Sequence, residues 1–163
     1  MNSSRIELFQ RMPIFGAIHD DALVFLIERS QSVSAKEGEF FFREGDIAGG
    51  MFVLEKGSVA ISKAWDGREF TLRQLGAGDC FGEMALMDLQ PRSASVRAIE
   101  DCVALELRPE ELHQLFERDR EQFALIQMNM GREVCRRLRA MDDMLFHAEM
   151  GANQVPTARF RST

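Results

Sequence analysis

Residues 81–98 read FGEMALMDLQPRSASVRA. At Gly82, Ala85 and Ala94 the lack of bulk lets backbone approach a ligand closely. EMAL can form one helical turn whose free N–H groups face outward, which would make an anion cradle. Arg92 adds a permanent charge on a planar fork of donors, suited to two oxygens of one phosphate. Ser93 brings a hydroxyl and an N–H to the same point, and Pro91 limits the conformations open to the loop just before Arg92. Glu83 is the discriminating residue. Beside a phosphate, a carboxylate costs electrostatic energy unless it accepts hydrogen bonds from another part of the same ligand, and a ribose hydroxyl is such a donor. The pair suits a sugar phosphate. The spacing alone leaves a second reading open, an ion pair between Glu83 and Arg92 across a turn with no ligand.

The flanking sequence indicates what scaffold holds this loop. Nine of the twelve glycines fall between Gly38 and Gly82, interleaved with the short apolar runs FFF, MFVL, SVAIS and EFTLRQL, with SVRAI and CVALEL further on. Short strands separated by glycine turns predict an all-β barrel or jelly roll rather than βαβ units. Asp66-Gly67, within WDGRE, predicts a tight hairpin. On both sides the pattern is helical. RIELFQRM and HDDALVFLIERS precede the strands, with Asp20 as the N-cap before Leu23, Leu26 and Ile27 on one face. Pro109 fits the first turn of a short helix, PEELHQLFERD. A long helix then runs from about Arg120 to Glu149, with Phe123, Ile126, Met130, Val134, Leu138, Met141 and Leu145 at spacings of three and four. The predicted organisation is one mainly β domain over 1–149: helices at 3–30, a β-roll at 31–108, helices at 109–149, then a disordered tail at 150–163. A helix this long against a small barrel is expected to protrude and to self-associate or meet a partner.

Composition narrows the function classes. The 163 residues are 45% hydrophobic, enough to bury a core, and the aromatic content goes into packing, with 13 Phe and no Tyr. The N-terminus carries charge where a secretory signal needs an apolar run, and no stretch approaches the roughly 18 apolar residues of a membrane span, which predicts a cytoplasmic chain. Residues 1–118 hold 13 basic against 20 acidic side chains, and residues 119–163 hold seven against six. An acidic body is a poor general surface for nucleic acid, so any bound anion needs a local device. Cys80, Cys102 and Cys135 suggest neither a disulfide framework nor a metal knuckle, and no four-ligand set for an iron–sulfur or haem sensor. A cupin-type metal enzyme needs clustered His and Glu ligands, whereas His19, His113 and His147 all fall in predicted helices.

FGEMAL, five residues, then RSASVRA resembles the phosphate-binding cassette of cyclic nucleotide-binding domains, the family that includes catabolite activators and regulatory subunits of protein kinase A. The upstream EGDIAGGMFVLEKGSVAI is similar to the family's other glycine-marked segment, with Gly45 and Gly57 at its turns. The likeness runs from about Pro13 to Glu149. It implies that Glu83 accepts from the ribose 2′-hydroxyl and that Arg92 pairs with the cyclic phosphate. Backbone groups around Gly82, Met84, Ala85, Ser93 and Ala94 would complete the cradle. It also implies that Ile61 and Leu72 pack on the base, and that Arg137, matched through RRL, braces Glu83. Met141 and Asp142 fall where bacterial activators place two hydroxyl residues against the adenine amino group; Asp142 can accept from that amine, whereas Met141 can only pack. The same likeness implies, from Ser93 after the arginine, cAMP rather than cGMP as the ligand.

The expectation is a non-catalytic receptor, with no metal and no cofactor beyond its nucleotide ligand, that passes its signal to an effector protein in trans, with a homodimer formed through the long helix. Only fourteen residues follow Glu149, too few for a helix-turn-helix, so direct DNA binding is not expected. The competing readings are a ligand-blind barrel used only for dimerisation and the sensor part of a transcription regulator.

Overall fold

The computed structural model describes residues 3–153, without the side chains of residues 3, 85, 152 and 153. Helices α1 (Ser3–Gln10) and α2 (Asp20–Arg29) open the chain and are joined through a 3-10 turn at Pro13–Phe15. His19, not Asp20, is the N-cap of α2 and so stands outside the helix. Asp20 and Asp21 lie in its first turn, where their charge meets the positive end of the helix dipole. Eight strands follow: β1 (Gln31–Ala35), β2 (Phe40–Phe42), β3 (Met51–Lys56), β4 (Ser58–Trp65), β5 (Arg68–Gly76), β6 (Cys80–Phe81), β7 (Ser95–Ala98) and β8 (Cys102–Leu107). The short helix α3 (Met84–Asp88) lies between β6 and β7, and α4 (Pro109–Arg118) and α5 (Arg120–Asn153) close the described chain.

The strands form two antiparallel four-stranded sheets, ordered β1-β8-β3-β6 and β2-β7-β4-β5. This is the expected β-roll with flanking helices. The hairpin at Asp66-Gly67 has positive φ at both residues, 49° and 71°, with Trp65 opposite Arg68, as a primed two-residue turn requires. Gly45 and Gly57 also adopt positive φ at their turns. At Gly57 a Cβ would stand 2.7 Å from the Asp101 carbonyl oxygen, so no larger residue fits there.

The central strands of the first sheet, β3 and β8, are buried on both faces, which is why MFVL reads as an unbroken apolar run. Phe52 and Leu54 of β3 and Ala104 of β8 join Val59, Ile61, Phe81 and Val96 inside the roll. The alternate residues Met51, Val53, Leu105 and Leu107 pack outward against Phe9, Phe15, Leu23, Leu26, Leu115, Ile126 and Met130 of the helices. The second sheet is not covered in this way: β5 is its edge strand, and Trp65, Phe70 and Leu72 are exposed around it.

The long helix splits into two halves with different surroundings. Ile126 and Met130 are fully buried, and Asn129 donates from Nδ2 to the carbonyl oxygens of Ile14 (3.2 Å) and Gly16 (2.8 Å). These bonds tie α5 to the N-terminal turn. From Leu138 to Gly151 every residue is exposed, including Leu138, Met141, Met144, Leu145 and Phe146. The expected apolar stripe therefore faces the core only in its first half. Met150 to Asn153 continue α5 instead of starting a tail, and the rest of the expected tail lies outside the described residues.

Candidate functional site

Phe42, Phe81, Ile61 and Val96 floor a cleft at the open side of the roll, with Gly82, Glu83, Met84, Arg92, Ser93 and Ala94 on its walls. Beneath it Phe52 and Phe81 stack with centroids 5.3 Å apart, and Phe41 meets Phe81 edge-on at 5.2 Å. This rigid aromatic layer supports the loop above. Two backbone bonds fix the loop: Arg92 N–H donates to Asp46 O (2.9 Å), and Gly45 N–H donates to Arg92 O (2.8 Å).

Arg92 is buried by this arrangement, with 6% of its surface exposed. Its guanidinium lies over the Phe42 ring, 3.9 Å from the centroid. Nη2 donates to Gly50 O at 2.6 Å and Nη1 to Gly82 O at 3.1 Å. Nε is buried without a hydrogen-bond partner among the described residues. Burial lowers the pKa of Arg92 from its ordinary value, against the pull of Glu106, Asp46 and Glu83. The buried guanidinium is hydrogen-bonded to two carbonyl oxygens and, among the described residues, to no carboxylate, which leaves room for an anion. Gly82 makes the geometry possible, because at its φ of +80° a Cβ would meet Arg92 Nη1 at 2.6 Å.

Glu83, 3% exposed, does not pair with Arg92, so the ion pair across the turn is absent. Its partner is Arg137 of α5, whose Nη1 donates to Glu83 Oε1 while Nη2 donates to Cys80 O at 2.9 Å. Burial works against the Arg137 charge, but Glu83, Cys80 and Glu133 outweigh it and its pKa is raised. Burial, then Glu83, push the Cys80 thiol up to about 12, so this cysteine is an inert packing group.

Other expected site residues fall differently. Leu72 is half-exposed and does not line the cleft. The β4–β5 ladder has a bulge between Ile61 and Ser62, which sets Arg73 opposite Ile61 and leaves Leu72 as the unpaired residue. Arg73 lines the cleft instead. Its pKa is lowered by burial and by the facing Arg137, with Glu83 and Glu133 acting the other way. Asp142 is exposed and away from the cleft, since five residues beyond Arg137 correspond to a rotation of about 140° to another side of α5. The Ala85 side chain lies outside the described residues. Asp88 also lines the cleft; its carboxylate accepts from Gln90 N–H at 3.0 Å and so shapes the turn that follows α3. Among the described residues no three His, Cys, Asp or Glu side chains converge to hold a metal ion, and no helix is long and apolar enough to cross a membrane.

A jelly roll with a buried arginine and a buried glutamate beside one open cleft defines a class of small β domains whose cleft pairs a fixed cation with a fixed carboxylate. Residues 32–119 match the family model of the cyclic nucleotide-binding domain, and the chain belongs to that family. It is 36% identical over 99 residues, 61% of its length, to the cAMP-dependent protein kinase type II regulatory subunit of Drosophila melanogaster, and spans 26% of that protein. It is 36% identical over 91 residues, 56% of its length, to the cGMP-dependent protein kinase of Toxoplasma gondii, and spans 9% of it. The crystal structure of the Thermus thermophilus catabolite activator protein superposes with a TM-score of 0.74 at 30% identity, covering 84% of this chain and 63% of that one.

Proposed function

We propose that this chain is a cytoplasmic, non-catalytic cAMP receptor in which residues 81–98 bind the nucleotide and α5 carries the signal to a partner protein. The observation that carries the reading is Arg92, buried, with no partner for Nε and no carboxylate bonded to it among the described residues, beside a cleft that also presents Glu83. A cyclic phosphate supplies the missing anion. Arg137 engages Glu83 through Oε1 alone, and Oε2 has no hydrogen-bond partner among the described residues, which leaves it for a ribose hydroxyl. Ser93 beside Arg92 favours adenine.

A second reading, cGMP, is favoured by one residue. Arg73 brings donors to the cleft, and the O6 and N7 atoms of guanine are both acceptors for a guanidinium. Competition of cAMP and cGMP against a fluorescent cyclic nucleotide tests both. The expected result is displacement by cAMP at lower concentration, with the ratio unchanged in Arg73→Ala. Preferential displacement by cGMP, lost about fivefold or more in Arg73→Ala, would select the second reading.

A further inference from the structure

Arg137 is held by two carboxylates. Besides Glu83, its guanidinium serves Glu133, four residues earlier on α5, with Nε donating to Glu133 Oε1 at 3.1 Å. The second oxygen of Glu133 is taken by Arg136. Neither contact is a surface ion pair: the side chains of Glu133, Glu83 and Arg137 are 9%, 4% and 16% exposed. In such surroundings an ion pair is costly to break on one side, because the remaining charge stays buried and unpaired. All three nitrogens of Arg137 are therefore committed, to α5, to the loop before α3 and to β6. An arginine bonded only to Glu83 would be free to rotate about its long stem, with several conformers to lose when it docks.

We propose that Glu133 is a positioning residue for the nucleotide site: it presets the Arg137 guanidinium on α5 so that Nη1 meets one oxygen of Glu83 and leaves the other to the ligand. The coupling of cassette to helix then runs through three residues, Glu83, Arg137 and Glu133. Its strength is set by a side chain that lies outside the cleft. The ligand part of this inference rests on the cyclic nucleotide reading; the linkage between the carboxylates does not.

The test has a ligand-free and a ligand-bound arm. In the ligand-free protein, the melting-temperature shifts of Glu83→Gln and Glu133→Gln are expected to depart from additivity by about 3 °C in the presence of Arg137 and to add in an Arg137→Met background. Additive shifts in both backgrounds would overturn the linkage. In the second arm, cAMP affinity should fall about tenfold in Glu133→Ala and about threefold in Glu133→Gln, which retains the acceptor for Nε. In the Arg137→Met background neither change should matter. Equal losses with and without Arg137 would make Glu133 an ordinary helix residue and overturn the proposal. If neither cAMP nor cGMP bound the wild type, the ligand reading would fall, and the ligand-free arm would still decide the linkage.

Discussion

Gly82 shows how a single residue makes the site. It holds φ at +80° and leaves the Arg92 Nη1 group the space that a Cβ would take. Gly82→Ala is expected to lower the melting temperature by about 3–10 °C, the usual cost of a strained backbone, and to weaken nucleotide binding by displacing Arg92. Gly67→Ala is the control. It imposes a similar strain at φ +71° with nothing within 4 Å of the new atom, so it should lower stability and leave affinity unchanged. Calorimetric melting and titration of both variants check this; an undiminished affinity in Gly82→Ala would separate Gly82 from the site. At this scale the sequence was legible where chemistry is local. Glu83, Arg92, Ser93 and Ala94 lie close along the chain, and all four line the cleft. Arg73 was not legible, because a one-residue bulge exchanges the roles of Leu72 and Arg73, and bulges leave no mark in an apolar alternation.

At the scale of elements, α5 was legible as a helix from its periodicity and its length, but not as an object with two environments. A stripe of apolar residues looks the same over Ile126 and Met130, which are buried, and over Met141 and Leu145, which are 62% and 61% exposed. The difference lies in where α4 and the 3-10 turn, against which the first half of α5 packs, come to an end. The contact between Arg137 and Glu83 spans 54 residues and was accessible only through the family likeness, which paired RRL with the cassette. Glu133 was missed because i,i+4 acid and base pairs on helices are common and most are solvated. Ligand engaging Glu83 should change what Arg137 feels and so the local stability of α5. Saturating cAMP is expected to increase amide hydrogen-exchange protection in residues 81–98 and in the C-terminal half of α5. Protection confined to the loop would leave a nucleotide-binding module without an output through the helix.

Across the whole molecule, two apolar cores share one sheet, and the site sits where the second sheet, the cassette loop and α5 meet. Because β3 and β8 are buried on both faces, the roll and the helical layer are held by the same strands, and Asn129 fastens the N-terminal turn to α5. The architecture was legible from glycine spacing and strand runs, since both are consequences of a repeated local geometry. The β1 strand QSVSA and the two-residue β6 gave no apolar run, and only pairing with β8 and β3 makes them strands. The acidic body would leave any anion site to a local arrangement, and beside the cleft one buried guanidinium has, among the described residues, no carboxylate hydrogen-bonded to it. The most direct measurement is isothermal titration of cAMP into wild-type protein and into Arg92→Ala. Saturable binding of one nucleotide per chain is expected for the wild type, with affinity weaker by roughly 30-fold to several thousand-fold in the variant, corresponding to about 2–5 kcal/mol, and with the fold retained. Equal affinities in the two proteins, or no binding of cAMP or cGMP to the wild type, would contradict this reading.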